Sequence, residues 1–180
     1  MKAIKLVLFS FLIIANLSCS SDDDNNDNES FNVVGSWTMT EGYIVPGSMN
    51  LNLGEMTVPV EYSGSFIDIE ENNRLNFQEN NTFTSVTGSM SLEMNMTIMG
   101  TNQTQSFEGS DFFGQGTWEV NGRELKIHNE NGTTIKYHID NLNGNVLELS
   151  SNLKDMNTGE PNPTLESMDM IIKMKLERVQ

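Results

Sequence analysis

Side chains able to do chemistry are few in this chain, and methionine is the most conspicuous of them. The sequence holds 12 methionines, and the series Met90, Met94 and Met96 offers the soft thioether donors that suit Cu(I). The same residues alternate with Leu92 and Ile98, which is the pattern of one strand face. Three uses therefore stay open: a plain apolar core, a cavity whose adaptable methionines accept varied greasy ligands, and a Cu(I) site. The 2 histidines, His128 and His138, fall on the face opposite Ile127, Tyr137 and Ile139, together with Lys126 and Lys136. They are expected in solvent, opposite Thr134 and Glu124 rather than each other, so no two-histidine metal site is expected. Asp68, Glu70 and Glu71 beside a turn read as solubility residues, not as an acid/base pair. Asp22, Asp24 and Asn26 suggest half a calcium loop, but the turn glycine is missing and Val33 stands where the bidentate glutamate belongs. Without a phosphate-cradling glycine loop or a nucleophilic serine motif, the expectation is a protein that is not an enzyme and uses neither cofactor nor metal.

The remaining reactive group is Cys19, the only cysteine, so an internal disulfide is impossible. It follows Lys2, Lys5 and an apolar stretch from Leu6 to Ala15, the layout of a secretory signal. The stretch is much shorter than the roughly 20 residues of a transmembrane helix. Leu17-Ser18-Cys19-Ser20 resembles a bacterial lipobox, with Asn16 departing from the usual aliphatic position. That resemblance implies a signal peptide over residues 1–18, diacylglyceryl transfer to the Cys19 thiol, cleavage before it, and acylation of the new amine, with palmitate as the expected chain. Several acyl chains at about 0.8 kcal/mol per buried methylene hold such an anchor permanently.

Residues 19–30 form a lipidated, acidic tether without a large apolar side chain, expected to be disordered. Its span from Ser20 to Ser30 reaches on the order of 35 Å when extended at about 3.3 Å per residue. Acidic residues after the cysteine resemble a surface-export signal, and Ser20 favours the outer membrane; a plain spacer is the alternative. Loss of the signal leaves 8 bases against 25 acids, a net charge of −17. Nucleic acid is thereby excluded as a partner; protein partners are not legible.

Residues 31–180 read as one β-rich domain. Met90, Leu92, Met94, Met96 and Ile98 alternate with polar residues, as do Met168, Met170, Ile172, Met174 and Leu176 near the end. Face matching places the turns. Glu79-Asn80-Asn81 pairs Phe77 with Phe83. Asn121-Gly122 as a type I′ turn pairs Trp118 with Leu125. Glu130-Asn131-Gly132 pairs Ile127 with Ile135 and Leu125 with Tyr137. Leu142-Asn143-Gly144 pairs Ile139 with Leu147 and Tyr137 with Leu149. The inward parity changes between Phe83 and Met90, which predicts a bulge or bend near Gly88. Sequential hairpins predict an all-β fold, an antiparallel up-and-down barrel of about eight to ten strands, with a two-sheet sandwich as the alternative. Gly47 to Pro59 and residues 152–166 read as outer loops.

Val34-Gly35-Ser36-Trp37 is similar to the Gly-x-Trp signature of lipocalins. The order that follows fits too: Leu75-Asn76-Phe77, Thr82-Phe83-Thr84, Gly116 to Gly122, Leu125-Lys126-Ile127 and Leu147-Glu148-Leu149. Together these resemble the lipocalin-like domains of small bacterial lipoproteins over about residues 33–178. The Thr-Asp-Tyr turn of typical lipocalins is absent, and no clear helix follows the last strand. The resemblance implies Gly35 packing tightly at the barrel floor, Trp37 plugging it, and Arg178 stacking on Trp37 as a cation-π cover. It also implies a small hydrophobic ligand inside, for which Met39, Phe77, Phe83, Met90, Leu92, Met94, Ile172 and Met174 are the candidate lining. A structural or adaptor protein of the outer membrane acting through its loops is the rival.

Overall fold

The computed structural model describes residues 31–53, 56–86, 88–108, 114–155 and 169–180. The expected signal peptide, Cys19, the tether and most of the expected loop before the last strand lie outside the described residues. Eleven strands follow in order: β1 Gly35–Leu53, β2 Met56–Ile67, β3 Arg74–Phe77, β4 Thr82–Val86, β5 Ser91–Ile98, β6 Thr101–Glu108, β7 Gln115–Asn121, β8 Glu124–Asn129, β9 Thr134–Asn143, β10 Val146–Asn152 and β11 Ile171–Arg178.

Every pairing is antiparallel, and β11 returns to β1 to close the ring. The start of β1 pairs with β3 and its far part with β2; β4 and β5 pair with β3 and β2, and β7 and β6 pair with β4 and β5. Thus β2–β3, β4–β5 and β6–β7 are each the two halves of one interrupted ribbon. Eight ribbons make a closed up-and-down barrel, the expected fold rather than the sandwich. The far part of β1 with β2, β5 and β6 runs on as a four-stranded extension.

The interruption near Gly88 is real, and it is matched on the neighbouring ribbon between β2 and β3. The buried Asn73 side chain ties the two breaks together, its Nδ2 donating to the carbonyls of Glu70 at 3.0 Å and Ser89 at 3.2 Å. The Ser89 N–H donates to the Glu70 carboxylate at 3.1 Å. A Cβ on Gly88 would lie 1.7 Å from Asn72 Oδ1, so a side chain there would have to displace the exposed Asn72 amide. Glu70 is therefore a structural acceptor, which the solubility reading missed.

Two of the expected hairpins hold, Phe77 opposite Phe83 and Ile127 opposite Ile135 with Leu125 opposite Tyr137. Two need correction. Trp118 faces Ile127 and Val120 faces Leu125, with Gly122 (φ 56°) and Arg123 as the turn. The expected and observed registers differ by two residues, which leaves every side chain on the same face, so alternation could not tell them apart. In β9–β10, Leu147 faces Leu142 and Leu149 faces Ile139, with a register shift between them. Leu142 and Ile139 have opposite parity and both pack inward, so the ribbon must bulge. Gly47 to Leu53 and Met56 to Pro59 are also not loop; they are paired strand.

The interior is one apolar cluster from Val33 to Leu176, drawing on every ribbon.

Candidate functional site

One end of the barrel is shut by the chain's own signature residues. Trp37 is completely buried, and its indole N–H donates to the Val33 carbonyl at 2.8 Å. The Arg178 guanidinium lies 4.2 Å from the centre of the Trp37 ring. The same side chain donates to the Val34 carbonyl at 2.9 Å and to the Gly144 carbonyl at 2.5 Å, stitching the N-terminal strand to the β9–β10 turn. Gly35 has φ 137°, where only glycine is relaxed, and a Cβ there would sit 2.1 Å from an Arg178 nitrogen. The structure thus brings Gly35, Trp37 and Arg178 together at this end. Gly35 acts by leaving room for the arginine.

Inward from this floor, all eight candidate lining residues come together. Met39, Phe77, Phe83, Met90, Ile172 and Met174 belong to the buried cluster, and Leu92 and Met94 pack against it. Phe77 meets Phe83 at 6.3 Å between ring centres and meets Trp118 edge-on at 5.7 Å. Ile44, Tyr62, Phe66 and Met170 join them. Ile44 and Phe66 escaped the sequence reading because bulges in β1 and the break after β2 scramble the alternation around them.

At the other end, the Tyr62 hydroxyl donates to the Asp169 carbonyl at 3.0 Å, tying the extension to the segment that leads into β11. Leu92, Met94 and Met96 lie on the inner face of this extension, half-buried and opposite Phe66, Gly64 and Tyr62.

Among the described residues three buried side-chain polar atoms lack a hydrogen-bond partner, Asn73 Oδ1, Asn129 Oδ1 and the Tyr137 hydroxyl, and the last is set among apolar side chains of the core. Tyr137 is 1% exposed, between Ile135 and Ile139 on the inward face of β9, and its hydroxyl has no hydrogen-bond partner among the described residues. Burial pushes the ionisation of this phenol far above its ordinary range, so it is a neutral donor at any physiological pH. An inward tyrosine was legible from the alternation Ile135-Tyr137-Ile139; that its hydroxyl would be unpaired was not.

The outer face holds the polar groups. His138 is exposed and opposes Glu124; His128 opposes Thr134, whose hydroxyl lies 3.0 Å from its Nδ1. The histidines are apart, as expected, and among the described residues no cluster of His, Cys, Asp and Glu has metal-binding form. A recess of about 400 Å³ lies over this face, between Glu124, Lys136, His138, Ser150, Asn152 and Asp155.

Comparison with known proteins gives one result. A family model described as a lipocalin-like domain matches residues 33–149. Searches of curated proteins and of solved structures return no match. The matched stretch runs from Val33, beside the floor tryptophan, to Leu149 in β10, and β11 beyond it completes the same ring. On the closed eight-ribbon barrel, the Gly35–Trp37–Arg178 floor and this match over most of its strands, the chain belongs to the lipocalin-like domain family.

Proposed function

We propose that this barrel binds a small, mostly apolar molecule bearing one hydrogen-bond acceptor, without catalysing a reaction on it. The observation that carries the reading is the Tyr137 hydroxyl, buried in hydrocarbon and unpaired among the described residues. An unsatisfied buried donor costs about 1–3 kcal/mol, and a carbonyl, ether or hydroxyl on a ligand removes that cost. The lining of Met39, Met90, Met94 and Met174 among Phe77 and Phe83 suits a flexible apolar body. The expected lipidation of Cys19 would place the barrel on the outer membrane, facing the cell surface, where a hydrophobic cargo has a lipid phase to come from or go to.

The test is native against denaturing mass spectrometry of the full chain extracted from its host, parent beside Tyr137→Phe. A discrete hydrophobic species lost on denaturation, and retained less by Tyr137→Phe, is the expected result. A clean ligand-free mass for the parent, even after incubation with mixed lipids, would overturn the proposal. It would shift the weight to a filled barrel acting through its outer surface, for which the polar recess around Lys136 and His138 is the starting point. The anchor is tested separately. Cys19→Ser should move the chain from the membrane to the soluble fraction, and no change in fractionation refutes lipidation there.

A further inference from the structure

Closing a barrel removes its strand edges, but the extension of this one keeps an edge. Among the described strands β6 pairs on one side only, with β5, from Ser91–Glu108 to Ile98–Thr101 and with no register shift. Thr101 to Phe107 are all exposed. Natural edges are blunted by charge, proline or bulges, because a bare, regular edge invites another strand. The opposite margin of the same extension is treated in that way: β1 has Pro46 in it and shifts register between Ile44 and Gly47. The β6 margin has none of these devices. Not one charged residue stands between Thr101 and Phe107, in a chain with 25 acids and a net charge of −15.

The ladder on this edge can be read from the turn. Met99 (φ 50°) and Gly100 (φ 78°) form a two-residue hairpin loop closed by Ile98 and Thr101. The closing pair of such a loop is hydrogen-bonded, and bonding alternates from there. The backbone N–H and C=O groups of Asn102, Thr104 and Ser106 therefore point away from β5, towards the bare side.

We propose that β6 pairs antiparallel with β6 of a second copy of this chain, about a twofold axis at Thr104. Thr104 then faces its own counterpart in a mutual backbone pair, Asn102 faces Ser106, and Gln103 faces Gln105. Each residue keeps its side of the sheet, and the opposed side chains are hydroxyls and amides that bond across a ladder. The interface is isologous, as a closed dimer needs. Charge argues for a second copy as the occupant. Two such acidic chains repel over most of their surface, and this edge is a place where like charge does not meet like. One strand pair is smaller than the roughly 1,200 Å² at which stable interfaces begin, so the dimer should depend on concentration.

The test is cross-linking of the full chain in the cell fraction that carries it, with the parent as control for Cys19. Thr104→Cys should give a cross-linked dimer under mild oxidation, whereas Glu79→Cys, in the turn at the far end of the barrel, should not. Adding Ser106→Pro removes an outward-facing N–H without touching a β5 bond, and should abolish the Thr104→Cys dimer. Should that proline unfold the chain by circular dichroism, Asn102→Lys with Ser106→Lys sets lysines opposite one another and should have the same effect. The proposal is overturned if Thr104→Cys dimerises no more than Glu79→Cys. It is equally overturned if the dimer survives the edge variants in folded protein, or if Thr104→Cys is captured instead by a chain of different mass.

Discussion

Replacing Arg178 by methionine removes the cover from the barrel floor while keeping much of the apolar stem. Three contacts are lost: the stack on Trp37 at 4.2 Å and the hydrogen bonds to the Val34 and Gly144 carbonyls at 2.9 and 2.5 Å. A partly desolvated cation-π contact is worth about 1–2 kcal/mol. Each hydrogen bond adds about 1 kcal/mol net, and the one to Gly144 less because it is exposed. The loss is therefore about 3 kcal/mol, a fall of roughly 6–12 °C in Tm for a domain of this size. Urea unfolding followed by circular dichroism should show a lower midpoint at unchanged slope, because the surface exposed on unfolding is nearly the same. Arg178→Lys should fall between, keeping the charge but losing the planar fork. Gly35→Ala should be at least as damaging, since its Cβ would meet the guanidinium at 2.1 Å. The two changes act on one clasp, so their effects should not add. A midpoint for Arg178→Met within about 0.5 kcal/mol of the parent, or full additivity with Gly35→Ala, refutes this account of the floor.

Other perturbations give equally definite outcomes. Gly116→Ala places a Cβ 2.0 Å from the His128 backbone carbonyl; backbone cannot yield as a side chain does, so denaturant titration should show a loss of several kcal/mol, at the severe end for point mutants. Met99→Asn relieves a side chain held at φ 50° in a turn that favours asparagine and should stabilise by about 0.5 kcal/mol; a lower Tm would contradict the turn assignment. Tyr137→Phe should leave the ligand-free fold as stable or about 1 kcal/mol more stable, because the deleted hydroxyl is unpaired among the described residues; marked destabilisation would mean that the hydroxyl has a protein partner after all. The Ser89 N–H holds the Glu70 carboxyl below its ordinary value of 4.5. A carboxyl lowered on folding stabilises above its unfolded pKa, and that contribution disappears as pH falls through the folded one. Stability should accordingly decline below about pH 4.5 and Glu70→Gln should flatten the decline, as a thermal melt series over pH can check.

Alternation of apolar residues determines a great deal here, because one face of each ribbon must be dry and a strand's side chains repeat every two residues. Ile135-Tyr137-Ile139, Leu125-Ile127 and Ile172-Met174-Leu176 are inward as read, and their hairpin order is enough to imply a meander that closes. The floor was expected only through the resemblance of Val34-Gly35-Ser36-Trp37 to the Gly-x-Trp signature; the structure places Gly35, Trp37 and Arg178 together there. What alternation cannot fix is register by two residues, which leaves the faces unchanged, and so Trp118 was placed opposite Leu125 instead of Ile127.

Bulges hide even the faces. In β1 the inward set passes from Trp37 and Met39 to Gly42 and Ile44 and then to Met49, with a register shift at each change of parity. No single period runs through that strand, and Gly47 to Pro59 consequently looked like loop. Only tertiary structure decided that this segment is strand, that Asn73 sews two breaks together, and that the Tyr137 hydroxyl is left without a partner among the described residues. The physical reason is that pattern records which side of a ribbon is dry. Hydrogen-bond satisfaction and close approach depend on atoms brought together from distant parts of the chain.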